Sequence, residues 1–112
     1  MSIQVYGKAK CFDTKKAQRF FKERGIAFQA IDLARYEMGK REFEAIKNAL
    51  GGVDSLLDEK AKGAEMVKYL AYEQDKEEKL LHNLMLLRTP IVRNGRQVTV
   101  GYCPEVWKGW LD

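Results

Sequence analysis

Histidine occurs once in this chain, and cysteine and proline only twice each. A lone His82, with Cys11 and Cys103 at opposite ends of the sequence, falls short of the ligands that a structural zinc site needs, so no metal is expected. Two thiols are also too few to staple a small secreted scaffold, and a reducing compartment, the cytoplasm, is the expected location. Long apolar runs are missing. The longest, near Leu84 to Leu87, is far short of the roughly 20 residues that cross a bilayer, so no membrane partner is expected. Met1 leads into Ile3 and Val5 with no basic region and no small-residue cleavage site, so no secretory signal is expected either. Charge of one sign does not dominate: 20 Lys and Arg against 16 Asp and Glu leave a net charge of +4. A direct nucleic-acid partner, which would call for a concentrated basic face, is therefore not expected.

What is present, 46% hydrophobic and 32% charged residues in a chain of 112, suits one folded domain spanning residues 1–112. Ile3 to Tyr6 alternates apolar and polar residues and stops at Gly7, which predicts a strand. Asp13 to Arg24 carries Ala17, Phe20 and Phe21 at helical spacing and ends at Gly25. Ile26 to Leu33 alternates again, so strand, helix and strand form a parallel unit with a right-handed crossover. A helical insert at about 38–87 follows, with helices expected over Lys40 to Leu50, Ala64 to Tyr72 and Lys76 to Leu87. Beyond Pro90, Ile91-Val92 and Val98-Thr99-Val100 flank Asn94-Gly95, a hairpin signature in which Asn-Gly supplies the positive φ angles of the turn. Pro104 to Leu111 reads as a last helix, with Val106, Trp107 and Trp110 on its apolar face. The predicted fold is α/β: a mixed four-stranded sheet, in the order βαβ, helical insert, ββα, flanked by helices.

Cys11 lies between the first strand and the first helix. A thiolate there meets unpaired backbone N–H groups and the positive end of the helix dipole. Lys8, Lys10, Lys15 and Lys16 add positive charge nearby. Both effects favour the ionised, nucleophilic thiol. His82 borders an apolar helical stripe without a visible partner and reads as a packing or surface residue.

A thiol in the first loop of a βαβ unit, with Thr89-Pro90 opening the later hairpin, resembles the thioredoxin arrangement. Four stretches extend the likeness: Tyr6-Gly7-Lys8-Ala9-Lys10-Cys11-Phe12-Asp13-Thr14-Lys15-Lys16-Ala17, Leu56-Leu57, Leu87-Arg88-Thr89-Pro90-Ile91-Val92 and Val100-Gly101-Tyr102. With the helical insert they resemble the ArsC/Spx, arsenate reductase-related branch of thioredoxin-like proteins over nearly the whole chain. The resemblance implies a cis Pro90 beside the thiol and Cys11 as the redox or nucleophilic residue. Thr14 stands where Spx-type proteins carry the second cysteine of a CxxC pair, so no disulfide can close within that motif. The three arginines that hold the oxyanion in related arsenate reductases fall on Asp58, Thr89 and Tyr102, and none of these is a cation. Arg88 is one residue from one of those positions, and an extended segment is expected to turn its side chain to the other face.

These observations favour a thiol-dependent oxidoreductase. Cys11 would attack, and Thr14 would hydrogen-bond the sulfur. Lys8, Lys10, Lys15, Arg88, Thr89, Pro90 and Tyr102 form the candidate substrate-binding set. No bound cofactor is expected; glutathione or another thiol is the candidate co-substrate, and Cys103 the candidate internal resolving thiol. The partner would be a small thiol or a protein disulfide. The alternatives are a non-catalytic or redox-sensing protein-binding module, which the Spx likeness would link to RNA polymerase, and an arsenate reductase with an atypical anion site.

Overall fold

The computed structural model describes residues 2–111; the ends of the expected domain, Met1 and Asp112, lie outside the described residues. Strand β1 (Ile3–Gly7) leads to helix α1 (Phe12–Glu23) and strand β2 (Phe28–Asp32). Helices α2 (Lys40–Ala49), α3 (Ala64–Lys68) and α4 (Glu73–His82) form the insert, with 3₁₀ turns at Val53–Ser55 and Leu84–Leu86. Strands β3 (Ile91–Asn94) and β4 (Gln97–Val100) and helix α5 (Pro104–Leu111) complete the chain. The strand order is β2-β1-β3-β4, with β2 parallel to β1 and the other neighbours antiparallel. This is the thioredoxin-like α/β fold.

Alternation along the strands builds two cores. Ile3, Val5 and Val92 point to one face, where they bury with Ala17, Phe20 and Phe21 of α1 and Trp107 of α5. The indole N–H of Trp107 donates to the hydroxyl of Thr99 at 2.8 Å, which satisfies both buried polar groups. Tyr6, Ile31 and Ile91 point the other way and meet Phe43, Ile46, Leu56 and Leu80 of the insert. The Tyr6 hydroxyl, buried there, donates to Glu42 at 2.6 Å, and Tyr36 donates to the same carboxylate at 2.8 Å. One glutamate of α2 thus fastens the insert to the central strand.

Several boundaries differ from those predicted. The helix expected to run to Leu87 starts in the charge run at Glu73, which reads as a solvated helix start, but stops at His82. Asn83 ends it by accepting the Met85 N–H at 3.2 Å on its side chain, which starts the 3₁₀ turn. The apolar stripe from Leu80 to Leu87 continues across that break, so periodicity alone conceals it. Helix α3 covers only the first part of the expected Ala64 to Tyr72. In the hairpin Asn94 pairs with Gln97, so the turn residues are Gly95 and Arg96 and only Gly95 has positive φ, at 62°. The turn is centred one residue later than predicted and carries glycine first, as a type II′ turn requires. On α5, Trp107 is fully buried, whereas Val106 is 48% exposed and does not belong to the packed face.

Gly7 is required where β1 ends. A Cβ there would lie 2.1 Å from Cγ2 of Thr14, itself buried in the first turns of α1. Gly7→Ala is expected to destabilise the fold by about 2 kcal/mol, since the clash involves a rigid β-branched neighbour. A lowered midpoint in urea denaturation, with unchanged slope, would register this; an unchanged midpoint would contradict the packing described.

Candidate functional site

Cys11 is the N-cap of α1. Its carbonyl accepts the Lys15 N–H at 3.3 Å, and its own N–H donates to the Lys8 carbonyl at 3.1 Å, closing a tight loop over residues 8–11. No side chain caps this helix, so the first-turn N–H groups remain directed at the sulfur. Across the gap, the Cys11 thiol donates to the carbonyl of Thr89 at 3.7 Å, a long contact suited to a weak S–H donor. The Thr89–Pro90 bond is cis.

Thr89 is fixed from the insert side. Leu87 forms an isolated antiparallel bridge with Leu57, and the Arg88 N–H donates to the Leu56 carbonyl at 2.7 Å. Among the described residues, the N–H of Thr89 donates to no other group of the chain. A free donor and a carbonyl therefore stand together opposite the thiol.

Burial pushes the Cys11 thiol up, but hydrogen bonds outweigh it. The side chains of Thr14 and Thr89 and the N–H groups of Thr14 and Asp13 all favour the ionised sulfur, and the net shift is downward. Thr14 is 5% exposed, and its oxygen also accepts the Lys8 N–H at 3.5 Å.

The sulfur borders an open cleft of about 1020 Å³. Lys8, Lys10, Cys11, Arg88 and Thr89 line it, so five of the residues singled out from the sequence come together. Arg88 differs from the expectation that it faces away: it lines the cleft and its guanidinium donates to the Ser55 carbonyl at 3.4 Å. Arg88 follows directly on the bridge between Leu57 and Leu87, which holds its backbone against the cleft wall. Pro90 is buried behind Thr89. Lys15 lines a smaller hollow on the other side of the loop, with its ammonium 5.8 Å from the Phe12 ring. Tyr102 also lies outside the cleft, packed edge-on against Trp107 at 5.6 Å, while its neighbour Gly101 lines the cleft. Cys103 packs against the α1–α5 core and donates to the Val100 carbonyl at 3.4 Å. It is not among the residues that line the thiol's cleft.

Sequence reasoning missed a pairing in the cleft wall. Lys8 meets Asp58 at 3.2 Å, and the Asp58 carboxylate also accepts the Lys60 N–H at 3.0 Å. The two residues are 50 positions apart, and only the Asp58 substitution itself signalled that the wall was unusual. Asp13, Asp32, Asp54 and Glu59 add further carboxylates. Among the described residues no three of His, Cys, Asp and Glu converge to hold a metal.

The model of the ArsC family matches residues 6–110. The global transcriptional regulator Spx 2 of Oceanobacillus iheyensis is 29% identical over 109 residues, covering 91% of this chain and 78% of that protein. An ArsC family related protein from Bacteroides fragilis superposes with a TM-score of 0.83 at 21% identity, over 97% of each chain. An arsenate reductase from Vibrio cholerae does so with 0.82 at 21% identity, over 95% of this chain and 94% of that one.

Thr14→Val, in a Cys103→Ser background that leaves one thiol, is expected to raise the pKa of Cys11 by removing a donor while keeping the packing against Gly7. The pH of half-maximal iodoacetamide alkylation should move upward; an unmoved or lower value would deny Thr14 this role.

Proposed function

The chain belongs to the ArsC family, and from that premise we propose that it is a monothiol oxidoreductase acting through Cys11. The observation that carries this reading is the sulfur at the cap of α1, held below its ordinary pKa and facing the backbone of Thr89. The Cys11 thiolate attacks the glutathione sulfur of a mixed disulfide. An S–S bond to Cys11 forms, the original S–S bond breaks, and the substrate sulfur leaves as a thiolate that takes a proton from water. A second glutathione thiolate then attacks the glutathione sulfur on Cys11, releasing glutathione disulfide and restoring the Cys11 thiolate.

Thr14 supports the ionised sulfur, and the free N–H and the carbonyl of Thr89 pair with the substrate backbone. Lys10 and Arg88 offer charged donors for glutathione carboxylates. External resolution fits the placement of Cys103, which packs against the other core and borders a different surface. Oxyanion reduction is disfavoured by Asp58, whose carboxylate occupies the cleft wall and engages Lys8. A dianion would meet repulsion where it needs donors.

A second reading rests on the likeness to Spx 2, named as a transcriptional regulator: the same surface would bind a protein without thiol turnover. The two readings separate on one variant. With a glutathionylated peptide and excess glutathione, Cys11→Ser should lose turnover to background, and Cys103→Ser should keep most of it, because Cys103 does not line the thiol's cleft. Arsenate with glutathione should give no rate above the Cys11→Ser background. Absence of peptide turnover in the unmodified protein, or an equal loss in Cys103→Ser, would defeat the monothiol assignment. Partner capture that survives Cys11→Ser at full strength would favour the binding module.

A further inference from the structure

A second hollow, of about 430 Å³, lies between α1 and the start of α5. Lys16, Arg19, Arg24 and Lys108 line it against one carboxylate, Glu23. Lys16, Arg19 and Glu23 recur at helical spacing and so share one face of α1, which Arg24 extends past its end. Arg24 is preset: its guanidinium lies 3.8 Å from the centre of the Phe20 ring and donates to the Phe20 carbonyl at 3.2 Å. Among the described residues neither Arg19 nor Arg24 forms an ion pair. Lys16 and Lys108 have only exposed partners one turn away, Asp13 at 4.0 Å and Glu105 at 3.5 Å, and such contacts hold a charge weakly.

The hollow adjoins the thiol. Gly101 lines the Cys11 cleft and Tyr102 lines the hollow, while Asp13 and Lys16 make the same step along α1. From Lys16 to Arg24 the helix advances about 12 Å, too wide for one small anion and equal to roughly four extended residues. The two aromatic rings of the hollow, Phe20 and the 43% exposed Tyr102, each already carry a cation. Lys16 covers the Tyr102 ring at 5.5 Å, Trp107 meets it edge-on, and Arg24 covers Phe20.

We propose that this hollow docks an acidic stretch of polypeptide flanking the disulfide on a protein substrate. The inference rests on the thiol-exchange reading and names its substrate class: proteins carrying Asp or Glu within a few residues of the reacting cysteine. Docking positions the disulfide and leaves the chemistry at Cys11 unchanged.

The test uses a fluorescent peptide with one glutathionylated cysteine followed by four Glu, and its counterpart with four Gln. Fluorescence anisotropy with Cys11→Ser protein reads docking without turnover. The Glu peptide should bind about tenfold more tightly at low salt, with the advantage fading as salt rises. Arg19→Glu with Arg24→Glu should erase it. Lys16→Gln with Lys108→Gln should reduce it in the same direction, which covers the case where losing Arg24 from the Phe20 ring disturbs folding. In turnover, the Arg19→Glu, Arg24→Glu pair should raise KM for the Glu peptide while kcat, and the rate with hydroxyethyl disulfide, stay unchanged. Equal affinity for both peptides, or undiminished preference in both variant pairs, would overturn the assignment. So would displacement of the Glu peptide by a single-stranded oligonucleotide of equal charge. A protein that turns over no disulfide but still prefers the Glu peptide would sink the thiol-exchange reading and uphold the docking hollow.

Discussion

The close approach between Gly7 and Thr14 governs how the functional half of this molecule is built. With no Cβ at residue 7, the methyl of Thr14 rests against the strand, and the first turn of α1 sits directly over the end of β1. That contact sets the height of the helix cap and hence of the Cys11 sulfur. It also lets the Thr14 hydroxyl take the Lys8 N–H on one side and support the sulfur on the other. Any larger residue at position 7 would lift the helix away, and the thiol would lose donors that offset its burial. The backbone of the Lys8–Cys11 loop tightens the same arrangement from outside.

The opposite wall has a different origin. Thr89 is presented to the sulfur by a segment that is strand on one side and insert on the other. Leu87 pairs with Leu57, Asp58 donates its N–H to Leu86 at 2.8 Å, and Ile91 is buried beneath the same core. The insert is itself locked to β1 through Tyr6 and Glu42. A substitution in the insert core therefore reaches the thiol's partner through this packing and these hydrogen bonds. The face of the sheet that carries α1 and α5 does the complementary task of holding the helix whose cap is Cys11.

Much of this was legible because it is local. The strand ending at Gly7, the helix after it and the cysteine between them follow from spacing within a dozen residues. The order of elements was legible from periodicity and turn residues, and the resemblance to the ArsC/Spx branch added the cis Pro90 beside the thiol. What was not legible depends on contacts distant in sequence. The Lys8–Asp58 pair spans 50 positions, and Arg88 reaches the Ser55 carbonyl 33 positions away, contacts that no periodicity encodes. Tyr102 meets Trp107 of α5 edge-on, a packing outcome no motif states. The hairpin shift is subtler: Asn94-Gly95 and Gly95-Arg96 are both acceptable turns, and cross-strand pairing of Val92 with Thr99 selects the second.

The electrostatics of the cleft argue for a substrate of mixed charge. Lysines and Arg88 line it together with Asp13, Asp32, Asp54, Asp58 and Glu59. A wall of cations alone would attract and hold a dianion; here the carboxylates cancel that attraction, and Lys8 is already paired. Glutathione carries two carboxylates and one ammonium, so each sign in the cleft has something to meet. The concentrated positive charge lies instead on the neighbouring hollow, beyond Lys16, where it can act on the chain flanking a disulfide without acting on the sulfur. Separating the two fields lets one surface be neutral enough for thiol exchange while the other selects which protein brings the disulfide.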